Sequence, residues 1–435
     1  MTEVDGRISG PVTGDQHVPP DLRVVGVELG EIDLGRSRNR ANSAPASVPS
    51  LARLDTVAAR AEEVGLRRVH LLAWRDLDDP EAGGSELHAH RIAALWAGAG
   101  LDVVLRTSTA AGHGPFGTRD GYRVVRKAGR YAVFPRSAFS GLLGRDGARD
   151  GLVEIWNGMP FFSPLWARCP RLVFLHHVHA EMWRMALPPS LARLGELLER
   201  RVAPPLYRGS RIITLSSSSR QEIVSMLGLS PDRVRVVPPG VDPRFSPGTG
   251  KSDEPLVVSV GRLVPVKRFD RFIDALVEVR RRVPTMRAVI VGEGYERPLL
   301  EAKLRAAGAQ DWVSLPGRQT DDQLVETYRK AWVLASLSQR EGWGMTITEA
   351  AACGTPAVVS RIAGHLDAVH DGTTGLLVED GDDFAGALAS VLEDTVLRAR
   401  LSRGAVDHAK RLTWEATAAG TLEALVDEAT RRRRH

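Results

Sequence analysis

An α/β fold of two Rossmann-like domains facing a cleft follows from three features of the 435-residue sequence. Short apolar runs of strand length alternate with helical patterns in both halves. A stretch rich in Pro, Gly and Ser, residues 236–255, divides the halves and reads as a flexible linker. The chain is also longer than one core of ordinary size, so two domains are expected. Strands alternating with helices predict parallel sheets covered on both faces, with ligand sites at the carboxyl ends of the strands.

Residues 1–50 are rich in Gly, Pro, Ser and Asn and lack an apolar period, which predicts a loosely ordered extension. Residues 51–65 can form a short helix. Val69–Trp74 reads as a buried strand, and Ser85–Gly98 as a helix with Leu87, Ile92 and Leu95 on its apolar face. Leu101–Arg106, Leu152–Trp156, Leu172–Leu175 and Arg211–Leu215 supply the other strands of a first domain over residues 51–243. In the second domain, residues 244–412, strands are expected at Leu256–Val260, Arg287–Val291, Trp312–Leu315, Ala331–Ala335 and Ala357–Val359. Its helices fall at Phe269–Arg282, Tyr295–Ala307, Asp321–Lys330, Thr346–Ala352 and Asp383–Glu393. Residues 413–435 form a last helix expected to pack back toward the first domain, with Arg431–Arg434 as its frayed end.

Composition removes several classes. Hydrophobic residues are 43% and charged residues 26% of the chain, a globular mixture. No apolar run approaches the ~20 residues of a membrane-spanning helix, and the first residues show no secretory pattern. Cys169 and Cys353 stand alone, which fits a reducing cytosol. The net charge of +5 resides in residues 1–243, which hold 31 Lys and Arg against 26 Asp and Glu. Arg119, Arg123, Arg126, Lys127, Arg130 and Arg136 crowd one stretch with a single acid, Asp120. That stretch suits an anionic or lipid-linked acceptor or peripheral contact with the inner face of a membrane, and equally a solvated face. A nucleic-acid protein would show a stronger imbalance and a binding module.

Two motifs in the second half carry chemistry. A strand runs into Gly261-Arg262, followed by Lys267 and a helix. A guanidinium fork and a point charge around a glycine turn can clamp a diphosphate, although the same cations would also fit a solvated loop. Further on, Glu341-Gly342-Trp343-Gly344-Met345-Thr346-Ile347-Thr348-Glu349 sets two carboxylates around two glycines where a loop enters a helix. The glycines admit close backbone approach, the free N–H groups of the helix start can hold phosphate, and Glu349, about two turns from Glu341, can bind a ribose diol. Asp76-Leu77-Asp78 and Asp380-Gly381-Asp382 mimic a metal motif but sit where Asp serves turns. Ser219-Arg220-Gln221-Glu222 reads as a helix capping box.

The chain resembles the retaining glycosyltransferases of family GT4, of GT-B fold. The resemblance rests on Pro239-Gly240-Val241-Asp242, Gly261-Arg262, Lys267, Gly292-Glu293-Gly294, Gly317, Glu341-Gly342-Trp343-Gly344, Glu349-Ala350, Gly354-Thr355-Pro356 and Gly372-Thr373-Thr374-Gly375, in the family's order over residues 68 to 420. It implies that Arg262 and Lys267 bind the donor diphosphate, beside Gly261. Glu341 would contact the transferred sugar. Backbone at Gly342, Gly344, Met345 and Thr346 would hold phosphate and sugar oxygens, Glu349 the ribose, and Gly317 and Arg318 the region of the base. Ser336-Leu337-Ser338 departs from the family's Pro-Ser before the first glutamate. In the first half, Gly83 and Gly84 resemble the family's loop beside the donor phosphates, with Glu86 and His88 on the acceptor side. The family places a histidine at the strand end Leu175-His176-His177-Val178-His179; His176 matches best and His177 second.

The expected activity is transfer of a hexose from a nucleoside diphosphate sugar to a hydroxyl acceptor, with no metal or other cofactor. A nucleotide-sugar epimerase of the same fold and a non-catalytic sugar-binding homologue are the two rivals.

Overall fold

The computed structural model describes residues 51–145 and 147–434, so the extension expected at residues 1–50 lies outside the described residues. Two sheets form the frame. The first contains β1 (Arg68–Leu72), β2 (Asp102–Thr107), β3 (Phe116–Arg119), β4 (Tyr122–Arg126), β5 (Gly151–Ile155), β6 (Arg171–Phe174), β7 (Arg211–Thr214) and β8 (Val234–Val236). Their order is β3-β4-β2-β1-β5-β6-β7-β8, parallel except for the β3/β4 hairpin. The second contains β9 (Leu256–Val260), β10 (Arg287–Val291), β11 (Val313–Gly317), β12 (Val333–Ser336), β13 (Ala357–Ser360) and β14 (Gly375–Val378), in the order β11-β10-β9-β12-β13-β14 and all parallel. The central strand β5 is buried along its whole length because helices cover both faces; its one charged residue, Glu154, accepts the Phe161 and Ser163 N–H groups.

The strand orders locate the clefts. In each sheet successive strands first add on one side, then on the other. The switch falls beside β1 in the first sheet and between β9 and β12 in the second. A crevice opens outside the carboxyl ends at such a point. The loops after β9 and β12, which carry Arg262 and Glu341, meet there for that topological reason.

Several expectations need correcting. The hairpin β3/β4, the short β8 and the edge strand β14 were not foreseen. The basic stretch is no free cationic patch, because acids distant in sequence neutralise it. Arg126 binds Asp76 at 2.8 Å, Arg119 binds Asp78 at 2.5 Å, Arg130 reaches Asp79 and Glu81, and Arg123 reaches Asp102. The linker is not flexible: Val237 N–H donates to Thr214 O and Thr417 holds Pro238 O at 2.8 Å. Arg329 binds Ser246, and Lys251 donates to Thr355 Oγ1 at 2.6 Å, strapping residues 244–251 to the second domain. The last arginines are not frayed. Arg431 and Arg432 bind the buried Glu428, and Arg432 also caps the carbonyls of Arg168 and Cys169. Ser216, not Ser219, caps the helix Ser217–Leu227.

The final helix, Trp414–Arg433, packs on helices Leu51–Glu63 and Gly84–Gly98, and Trp96 donates its indole N–H to Ala418 O at 3.0 Å. The chain therefore crosses between the domains twice, side by side. Val241 N–H donates to Leu412 O, and Gly240 lies so close that a Cβ would stand 2.1 Å from Trp414 N. Only glycine permits that crossing.

Candidate active site

The wall formed by the second sheet is built from three strand ends. Gly261 N–H donates to Val291 O and Leu263 N–H to Glu293 O, laying the loop after β10 against the loop after β9. A Cβ on Gly292 would stand 1.9 Å from Gly261 O and one on Gly294 2.2 Å from Leu263 O, which explains the Gly-Glu-Gly motif as packing. Arg262 stands exposed with no carboxylate partner among the described residues. Lys267 ends a short 3₁₀ turn and pairs with Glu341.

Glu341 sits in the loop, because the helix begins only at Met345. The Ser338 hydroxyl donates to its Oε1 at 2.9 Å; Ser360 holds Ser338 O at 2.6 Å. Burial pushes the Glu341 carboxyl up, but Lys267, His365 and Ser338 outweigh it and leave the group below its ordinary range. Gly344, with φ of 96°, stands at the N-cap of the helix Met345–Ala352, whose first N–H groups have no acceptor within the helix. Glu349 follows one turn along. Burial raises it to about 7 despite the 3.2 Å bond from the Tyr328 hydroxyl. Gly317, with φ of 83°, ends β11, and Arg318 beside it is exposed.

Across the cleft, Gly83 and Gly84 begin the helix Gly84–Gly98 and face this wall. A Cβ on Gly84 would lie 3.1 Å from Met345 Sδ, and one on Gly83 4.0 Å from Arg262 Nε. Glu86, expected on the acceptor side, is buried and engaged within its own domain. One oxygen takes the Gly83 N–H at 2.9 Å and the Ser85 hydroxyl at 3.0 Å, and the other pairs with Arg75 at 3.3 Å. His88 is not on the helix surface: it is buried, and its Nδ1 lies 3.1 Å from His176 Nε2. His177 and His179 stack on each other, and Glu199 takes the His179 N–H at 2.7 Å. Burial depresses all four imidazoles, with His176 and His179 at about 4, so they are neutral near pH 7.

Contacts that the sequence reading missed join the walls. Arg340, adjacent to Glu341, donates to Val178 O at 2.7 Å and pairs with Glu222 at 2.9 Å. A Cβ on Gly342 would meet His176 O at 2.8 Å. Asp367 accepts the Ser217 and Ser218 N–H groups of the other domain at 2.8 and 3.1 Å. No local spacing signals these, since the partners lie over a hundred residues apart. The Asp-x-Asp pairs are otherwise engaged, Asp76 with Arg126 and Asp380 with Arg268 at 3.1 Å.

Residues 82–245 match "Glycosyltransferase Family 4" and residues 242–408 match "Glycosyl transferases group 1". The D-inositol 3-phosphate glycosyltransferase of Acidothermus cellulolyticus is 37% identical over 244 residues, 51% of this chain and 54% of that protein. The one from Stackebrandtia nassauensis is 36% identical over 242 residues, 51% and 55% of the two chains. The chain thus spans about half the length of the curated relatives it matches. Among solved structures, sucrose-phosphate synthase from Thermosynechococcus elongatus superposes with TM-score 0.70 and 21% identity, covering 82% of this chain and 97% of that one. HepE from Anabaena, in complex with UDP-glucose, gives 0.64 and 18%, covering 84% and 99%. These low identities speak to fold alone. With both halves matched in order and the two-sheet frame shared, the chain belongs to glycosyltransferase family 4 and has the GT-B fold.

Proposed function

We propose that this protein transfers a hexose from a nucleoside diphosphate sugar to a hydroxyl acceptor with retention of anomeric configuration, working in the cytoplasm. The supporting observation is Arg262: an exposed cation without a carboxylate partner, facing Gly83 and set in the same crevice as Lys267 and the helix start at Met345. Such an array suits a diphosphate leaving group. The C1–O bond to the β-phosphate breaks, C1 bonds to the acceptor oxygen, and the acceptor's proton passes to the departing phosphate. Arg262, Lys267 and the helix N–H groups stabilise the charge that develops there. Glu341 meets the sugar hydroxyls and Glu349 the ribose. The chemistry requires no metal.

The relatives' names make a phosphorylated polyol the first acceptor class to try, and the UDP-glucose in HepE makes UDP-sugars the first donors. A thermal-shift panel of UDP-, GDP- and ADP-sugars, followed by turnover with polyol phosphates, tests the reading. A donor held at 100 times its Kd stabilises by about 2.7 kcal/mol. Binding without turnover across a broad acceptor panel would favour a non-catalytic homologue. Conversion of the sugar with no acceptor would favour an epimerase.

A further inference from the structure

The helical ridge over residues 189–207 is built inside out. Its first helix, Pro189–Leu197, buries Ala192 and Gly195, the latter against Trp183, and turns Leu191, Leu194 and Leu197 outward at about 50% exposure each. The rod continues as the π-helical segment Leu198–Val202 and the helix Ala203–Tyr207. Pro204 and Pro205 lack the N–H that an α-helix would need there, which accounts for the wider turn. Small residues facing in and leucines facing out is the reverse of a core-packing helix.

Arg193, Arg200 and Arg201 flank the leucines, exposed and without a carboxylate partner among the described residues. Of the ridge's acids, Glu196 is held by Arg184 at 2.7 Å, and Glu199 is buried under the histidine loop. The three arginines, with Glu196 as the one acid, also line an open groove of about 620 Å³ that runs to Met226. Fourteen large apolar side chains are exposed among the described residues, and four of them, Leu191, Leu194, Leu197 and Val202, follow one another along this ridge. Such concentration marks an interaction surface, where a lone exposed leucine would not.

We infer that this ridge seats the protein on an anionic lipid surface. The leucines enter the interfacial layer and the arginines take lipid phosphates, the division of labour of an interfacial amphipathic helix. A second copy of the chain is a poorer occupant, because pairing two ridges would bring their arginines together. The site differs from the ion-paired stretch at residues 119–130. Glu199 ties the ridge to the loop carrying His176 to His179, so a lipid-borne acceptor would arrive beside the cleft. Lipid binding itself does not depend on the transfer reading.

The test is flotation of the full chain with vesicles of phosphatidylcholine alone or mixed equally with phosphatidylglycerol, at low salt. Wild type is expected to float with the anionic vesicles only. The triple change R193Q/R200Q/R201Q should weaken that binding by about 100-fold, and L191S/L194S/L197S at least tenfold, both with unchanged melting temperatures because all six side chains are exposed. Absence of wild-type binding, or equal binding by both variants, would overturn the inference. So would light scattering that shows a dimer lost in the leucine variant while vesicles stay unbound.

Discussion

The two walls of the cleft are made on opposite principles. The wall of the second sheet is charged and local: Arg262, Lys267, Glu341 and Glu349 come from two loops and one helix, each with its own short signature. The histidine face of the first sheet's wall is neutral and non-local: His88 and His176 lie 88 residues apart in sequence, buried and uncharged near pH 7. A site that stabilises a leaving diphosphate needs fixed cations. Under the proposed transfer, the neutral wall would present an acceptor hydroxyl, which needs shape and can exclude charge. The contrast predicts that damage to one wall alters chemistry and damage to the other alters positioning and stability.

The largest effect should come from the charged wall. Arg262→Ala and Lys267→Ala are each expected to lower kcat/KM by about 10²- to 10³-fold, measured with the donor identified by thermal shift. Activity within twofold of wild type would break the comparison.

The neutral wall should appear in the pH dependence of stability. His176 and His179 are depressed to about 4 against an ordinary 6.5, with His88 and His177 also low. Folded chains therefore bind fewer protons than unfolded ones between those values. Stability is full above pH 6.5 and lost as pH falls toward about 4, at roughly 2 kcal/mol by pH 5 for each of His176 and His179. Melting temperatures recorded from pH 7.5 to 5 should fall, and His88→Asn should flatten the slope. A slope that stays unchanged would mean the imidazoles are not held neutral.

Glu349 sharpens the contrast, because its sign is opposite. Raised to about 7, it favours the fold at low pH, and that contribution is lost as pH rises through 7. Glu349→Gln should remove this term and raise the donor KM by about tenfold through loss of its charge-assisted bonds, with little change in kcat. A fall in kcat with KM unchanged would assign Glu349 a different task.

The smallest effect is expected at the seam. Asp367→Ala removes a cap that one domain places on the other's helix, worth about 1 kcal/mol. Small-angle scattering should show a more open chain, and a donor KM that rises severalfold. No change in either would mean the cap contributes nothing to closure.

Much of the charged wall was legible because glycines, cations and carboxylates are spaced within single loops. The sheet order was implied by alternation, yet β14, a four-residue edge strand, carries too short a signal. The first wall was least legible where partners decide what a side chain does: Glu86 binds its own helix start and Arg75, and the arginines at residues 119–130 pair with acids that precede them by about fifty residues or with Asp102. Ser338 could have been found, three residues before Glu341. Asp367 could not, since nothing in its neighbourhood announces a partner at Ser217.

The final helix also bears on the order of synthesis. Residues 414–433 supply Ala418, Leu422, Leu425 and Val426 to the core of the first domain, and a Cβ on Gly151 in the middle of that sheet would lie 3.0 Å from Leu425. On the ribosome the first domain emerges early but cannot close its core until the whole second domain has been translated. The second domain, continuous in sequence, can be finished before the first, so the half made earlier waits longest, with apolar surface that a chaperone could cover.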